Sequence, residues 1–226
     1  DRRTQSAPAA RALIEATAPR REQRREPRAY GCVGLLERDL VAGGVGDPIE
    51  QVLDRVMITT ELARTLTRYK AWANEITFST VAALPEGEAT KPRPTIFKNM
   101  VHTLNHPYVI DCIFQAHLEG RPHGFTARNT PTHPPLDELW RAVKAMDRWY
   151  IELSDRLSDR ELAETIRFQF VGGGDGAMTR GEIILHLVNH ATYHRGFVGD
   201  MLNQAQVRPP ATDLTVYLRD IHRAAA

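Results

Sequence analysis

Leu136, Leu139, Val143, Met146, Tyr150, Leu153 and Leu157 recur at alternating steps of three and four residues without a break. That rhythm places all seven side chains on one stripe of an α-helix, so the sequence predicts a helix over 136–157 with one buried face. Three other segments carry the same kind of signal. The first, near 60–84, presents Leu62, Leu66, Tyr69, Ala73 and Ile76 on one side and stops at Pro85-Glu86-Gly87. The second starts after Thr95 as its N-cap and runs past His106 to Gly120, with Ile110 and Ile113 on its inner face. The last opens with the capping box Thr179-Arg180-Gly181-Glu182 and ends near Asn203. Four helices of this length, each with one apolar face, predict an all-α fold, a four-helix bundle. Asp213 is expected to cap a short final helix through Ile221.

Two connections are longer than turns. His117 to Pro135 is rich in proline, glycine and threonine, and Thr165–Phe170 followed by the Gly172–Gly176 run alternates like a small hairpin placed before helix four. The glycine run lacks the lysine and the strand-to-helix context of a phosphate loop. Both connections are better read as candidates for a substrate lid.

The first 56 residues differ from the rest. They contain no lysine, crowd arginine around 20–25, and are interrupted by Pro8, Pro19, Pro27, Pro48 and Gly43-Gly44 with no sustained period. No packed core is expected there, whether the segment is upstream sequence preceding a start at Met57 or a disordered arm. Residues 57–226 are expected to form the bundle domain.

Composition narrows the partners. With 29 basic and 28 acidic residues the formal net charge is +1, which gives no nucleic-acid footprint. The longest apolar runs fall short of a bilayer span and the chain opens with no secretion signal, so the expected location is the cytoplasm. Cys32 and Cys112 are too few for a disulfide framework, and Cys112 reads as a small buried hydrophobe.

The chemistry concentrates in the last long helix. Ile183, Leu187, His190, His194, Phe197 and Met201 form its inward stripe, so two imidazoles one turn apart stand where leucine is expected. The lettering H-x-x-N-H occurs twice, as His102–His106 and as His186–His190, each on a predicted amphipathic helix. His106, His190 and His194 are the candidate metal ligands, since three neutral nitrogens leave a divalent ion its full charge and an open position. Zinc is the first choice of metal and nickel the second. His102 and His186, one turn before, join the ligands, support them through a hydrogen bond, or cap a carbonyl at the bundle edge. The absence of E-x-x-H and H-E-x-x-H argues against a di-iron carboxylate bundle and a zinc protease.

Leu104-Asn-His-Pro-Tyr-Val-Ile-Asp111 and Leu185 to Gly196, together with the order of elements from Met57 onward, resemble the DinB family (damage-inducible proteins and their thiol-transferase relatives). The family pattern of one histidine in the first motif and H-x-x-x-H in the second maps onto His106, His190 and His194. Pro107 departs from it, and removes a helical hydrogen bond beside the ligand, so a kink is expected there. The resemblance implies a DinB-like four-helix bundle, a homodimer, and a metal-dependent enzyme. Relatives conjugate low-molecular-weight thiols such as bacillithiol or mycothiol, isomerise with a thiol cofactor, or hydrolyse. The matching reading is activation of a thiol or water against a small electrophilic substrate, as a thiol S-transferase or hydrolase. Tyr193 is then a candidate hydrogen-bond donor, Arg195 an anion clamp, and Asp111 the orienter of a ligand imidazole. The alternative is a metal-binding stress-response, sensor or interaction protein without turnover, because Glu182 is engaged by its capping box and no other general base is evident.

Overall fold

The computed structural model of the chain describes residues 58–223. The expectations for residues 1–56, for a start at Met57 and for the last three residues lie outside the described residues.

Four long helices carry the fold: α1 (Thr60–Ala82), α2 (Met100–Leu118), α3 (Leu136–Arg156) and, after a one-turn α4 (Asp159–Leu162) and a hairpin of β1 (Thr165–Gln169) and β2 (Asp175–Thr179), α5 (Arg180–Gln204). A short α6 (Leu214–Tyr217) and a π-turn over Leu218–His222 follow. The architecture is all-α, a four-helix bundle, as the stripes predict. α1 packs along α3 and α5, and α2 packs along α5. None of these helices is long and apolar enough to cross a membrane.

The stripe of α3 behaves as its spacing requires. Leu139, Val143, Met146, Tyr150, Leu153 and Leu157 are buried, and only Leu136, at the helix entrance, is half exposed. Each such side chain removed from water contributes roughly 1.5–3 kcal/mol. At one end of the bundle Leu139 and Val143 meet Phe78, Met100, Leu104, Val198 and Met201; toward the other, Tyr150 and Leu153 meet Ile110, Phe114, Ile183 and Leu187. The hairpin closes the second end. Its turn is built on Gly172, Gly173 and Gly174, all at positive φ, where a side chain is strained. β1 and β2 pair antiparallel with Thr165 opposite Thr179, which delivers the chain to the head of α5. There Thr179 Oγ1 accepts from the Glu182 amide at 3.1 Å and Glu182 Oε2 accepts from the Thr179 amide at 2.6 Å, the predicted capping box.

Two expectations need correction. α2 is capped by Asn99, whose Oδ1 accepts from the His102 amide at 2.8 Å, and not by Thr95. Thr95 instead closes a turn, accepting from the Lys98 amide, and Lys98 sits at φ 66, so the chain can enter a helix only after it. On α1, Leu66, Tyr69 and Ala73 are buried, but Leu62 is 41% exposed and Ile76 is half exposed. Because α1 packs on two helices, its buried face is wider than an apolar stripe and includes Thr67, Lys70, Asn74 and Thr77. α2 runs through Pro107 without ending.

Candidate metal centre

His106 from α2 and His190 and His194 from α5 meet inside the bundle. The His190 and His106 Nε2 atoms are 3.2 Å apart and those of His194 and His190 3.1 Å apart. One nitrogen from each of the three lies within 4.8 Å of the others, and no further histidine, cysteine or carboxylate among the described residues joins them. His194 and His106 are buried and His190 is partly so. The helical rise accounts for the pair on α5, since positions i and i+4 stack on one face. The antiparallel run of α2 supplies the third ring.

The tautomers decide what this cluster can do. His106 Nδ1 faces the Arg128 carbonyl at 2.6 Å; a carbonyl only accepts, so Nδ1 carries the hydrogen and Nε2 presents a lone pair. The His190 Nε2 contact with His106 then requires a hydrogen on His190. Its contact with His194 requires either that same hydrogen or a lone pair in its place. One nitrogen cannot serve both, so neutral imidazoles leave one of the two contacts unsatisfied. A cation at the centre satisfies all three lone pairs together. Nitrogens held about 2.0–2.1 Å from a tetrahedral zinc stand about 3.3 Å apart, close to the separations here. The residues therefore fit a divalent ion.

Burial also keeps the rings neutral. It pushes the His190 imidazole down to about 2, with the neighbouring histidines adding to the effect, and His194 to about 3, with His106 adding; His106 falls to about 4, the Arg128 carbonyl partly opposing. Neutral imidazole is the form that binds metal.

The long connection after α2 packs against the site. Asn105 Nδ2 donates to Asn129 and to Thr130 Oγ1, Asn129 Nδ2 donates to the His102 carbonyl, and Arg128 holds His106. Phe97, not foreseen from the sequence, stacks on His106 at 4.6 Å between ring centroids and lies 5.6 Å from His194. Its place just before the turn at Lys98 leaves no periodic signal.

The other candidate residues fall in several places. His102 lies against Phe97 and His133, and His186 stacks on His190 at 5.5 Å, so neither shares the cluster but both border it. Tyr193 is half exposed, its ring edge-on to His194 and Phe197. Asp111 makes no hydrogen bond to an imidazole; its Oδ2 accepts from Lys70 Nζ at 2.7 Å, and its Oδ1, like His190 Nδ1, is buried without a partner among the described residues. Arg195 is buried, donating to Asn74 Oδ1 at 3.0 Å and to Thr192 Oγ1 at 2.8 Å, so its guanidinium is engaged inside the bundle and not presented to an incoming anion. Lys70 also donates to Asp147 at 2.6 Å, and Asn74 Nδ2 donates to the same carboxylate. Burial alone lowers the Lys70 ammonium, but the two carboxylates more than reverse it and hold it above its ordinary value. Sequence patterning missed Lys70, Asn74 and Asp147; the signal was a charge on or beside an apolar stripe, Lys70 on α1 and Asp147 on α3.

Known proteins share the sequence pattern and the fold. The chain is 27% identical over 164 residues to Protein DinB of Bacillus subtilis, a match covering 70% of this chain and 95% of that protein. The crystal structure of a DinB-like protein from Bacillus cereus superposes with a TM-score of 0.50 at 18% identity, covering 69% of this chain and 99% of the other, and supports the fold. The model of the DinB family matches residues 57–223, which takes in the bundle and all three clustered histidines, and the chain belongs to that family.

Proposed function

We propose that the Nε2 atoms of His106, His190 and His194 hold a divalent ion, zinc before nickel, and that the protein uses it to act on a small electrophilic substrate with a water or a low-molecular-weight thiol as nucleophile. One observation carries this reading: three neutral imidazoles converge with contacts that their own hydrogens cannot satisfy. Three uncharged protein ligands leave the ion its full charge and a tetrahedral site an open position. A bound ion there would supply Lewis-acid chemistry, lowering the pKa of water or thiol. The chain's part is to keep the imidazoles neutral, fix the His106 tautomer through Arg128, and wall the site with Phe97 and the 119–135 connection.

The reading of a metal protein without turnover has one observation in its favour. Among the described residues no carboxylate joins the histidine cluster, and Glu182 is committed to its capping box.

The test starts with untagged protein purified without added metal. The parent is expected to carry one ion per chain, and His190→Ala and His194→Ala to carry none while keeping their helical circular dichroism, since the stripes and not the ion build the bundle. Equal metal content in parent and variants overturns the ligand assignment. Adding a small thiol to the cobalt(II)-loaded parent tells the nucleophiles apart, a changed visible spectrum supporting a thiol and an unchanged one water; consumption of a small electrophile by the zinc-loaded parent that is lost in His190→Ala supports the enzyme, and none with either nucleophile supports the protein without turnover.

A further inference from the structure

We propose that the buried polar network of Lys70, Asp111, Asp147, Asn74 and Arg195 is a positioning device for the metal centre, holding α2 and α5 at the rotation that makes His106 face His190 and His194 before an ion arrives. The inference rests on the metal reading above and adds to it the residues that set the geometry.

The network spans all four long helices. Lys70 on α1 bonds Asp111 on α2 and Asp147 on α3, and Asn74, one turn along α1, bonds Asp147 and the α5 residue Arg195. Its ends lie beside the ligands in sequence: Arg195 directly follows His194, and Asp111 follows His106 by little more than one turn of α2. Asn74 works in one orientation only, its amide nitrogen toward the Asp147 carboxylate and its oxygen toward the guanidinium. A flip would set donor against donor and acceptor against acceptor.

Stability alone is a poor reason for such a network. Buried ion pairs recover little more than their desolvation penalty, and apolar side chains of similar volume often serve as well. The network is also incomplete among the described residues, where Asp111 Oδ1 and Arg195 Nε are buried without partners. What hydrogen-bonded charges provide and apolar contacts do not is a fixed direction. An imidazole nitrogen reaching about 7 Å from its helix axis moves about 2.5 Å when the helix turns by about 20°. Metal bonds tolerate errors of about 0.2 Å. Apolar packing of α5 alone, with histidines in place of two stripe leucines, is too permissive for that.

The experiment compares Asn74→Leu, which removes both links at similar volume, and Arg195→Lys, which keeps the charge but loses the fork, with Leu157→Ala, a buried residue at the C-terminal end of α3 outside the network. Zinc affinity by chelator competition, the visible spectrum of the cobalt(II) form and the metal-free thermal midpoint are read for each. Both network variants are expected to lose about 10- to 100-fold in zinc affinity and to change the cobalt band. Leu157→Ala is expected to lower the midpoint and leave affinity and spectrum at parent values. Network variants that bind zinc like the parent, or a Leu157→Ala that loses as much affinity, overturn the proposal. If Asn74→Leu does not fold, Thr192→Val, which removes only the hydroxyl on Arg195 Nη2 at an exposed position, takes its place, with a loss of threefold or more expected and no loss overturning it. A parent that binds no zinc sinks the metal reading and this one with it; a parent that binds while the variants match it sinks this one alone.

Discussion

Replacing Lys70 by methionine keeps the length of the side chain and removes the ammonium that lies 2.7 Å from Asp111 and 2.6 Å from Asp147, all three side chains being 6% exposed or less. Two carboxylates are then buried with only Asn74, and Arg195 beyond it, to answer them. Breaking one side of a buried pair destabilises by about 3–5 kcal/mol, which for a domain of this size lowers the thermal midpoint by about 6–20 °C. The pH dependence of the loss identifies its cause. Burial already pushes the Asp111 carboxyl up to about 6, with Lys70 pulling it back, and without the lysine it rises further. A carboxyl whose folded pKa is raised contributes its stability below the unfolded value and loses it as pH climbs through the folded one. The gap between Lys70→Met and parent should therefore be widest at pH 7.5 and narrow toward pH 5, as the stranded Asp111 carboxylate takes up a proton. Differential scanning calorimetry of both proteins in chelator, at both pH values, measures it, and the histidine titration common to both cancels in the difference. A midpoint within about 2 °C of the parent at pH 7.5, or a gap that does not narrow at pH 5, refutes the reasoning.

The metal-free protein should itself be acid-sensitive. The three clustered histidines have folded pKa values below their unfolded one, so their contribution is present above about pH 6.5 and is lost as pH falls toward 4 and below, and a midpoint that stays flat from pH 7 to pH 4.5, or falls as steeply in His190→Ala, contradicts it. His106→Ala should weaken zinc by well over the roughly 10- to 100-fold of a supporting residue, whereas His102→Ala should stay within that range; chelator competition giving the reverse order would redraw the ligand set.

Much of the fold was legible because its signals are local. The stripe of α3, the capping box at Thr179 and the pair His190 and His194 all lie within a few turns of chain, where steps of three and four translate directly into a face. His106 was reachable because the lettering around it repeats that of His186–His190. The charge network was not legible, since Lys70 meets partners 41 and 77 residues away and a lysine in an apolar stripe shows nothing of what neutralises it. Asp111 and Arg195 were singled out for their nearness to the candidate ligands in sequence, but at about 100° per residue a side chain one or five positions along leaves the histidine face, and both meet the charge network instead. The cap at Asn99 was missed for the opposite reason, because Thr95 is as good a capping residue and only the backbone at Lys98 decides between them.

The partner that fixes the tautomer of His106 is a main-chain carbonyl. Every residue carries that group, so the side chain at position 128 can change without touching the bond, provided the loop keeps its path. Asn129 and Thr130, tied to Asn105, keep the path. The rest of the connection from Glu119 to Pro135 is then free to diversify in sequence while the tautomer of His106 stays fixed.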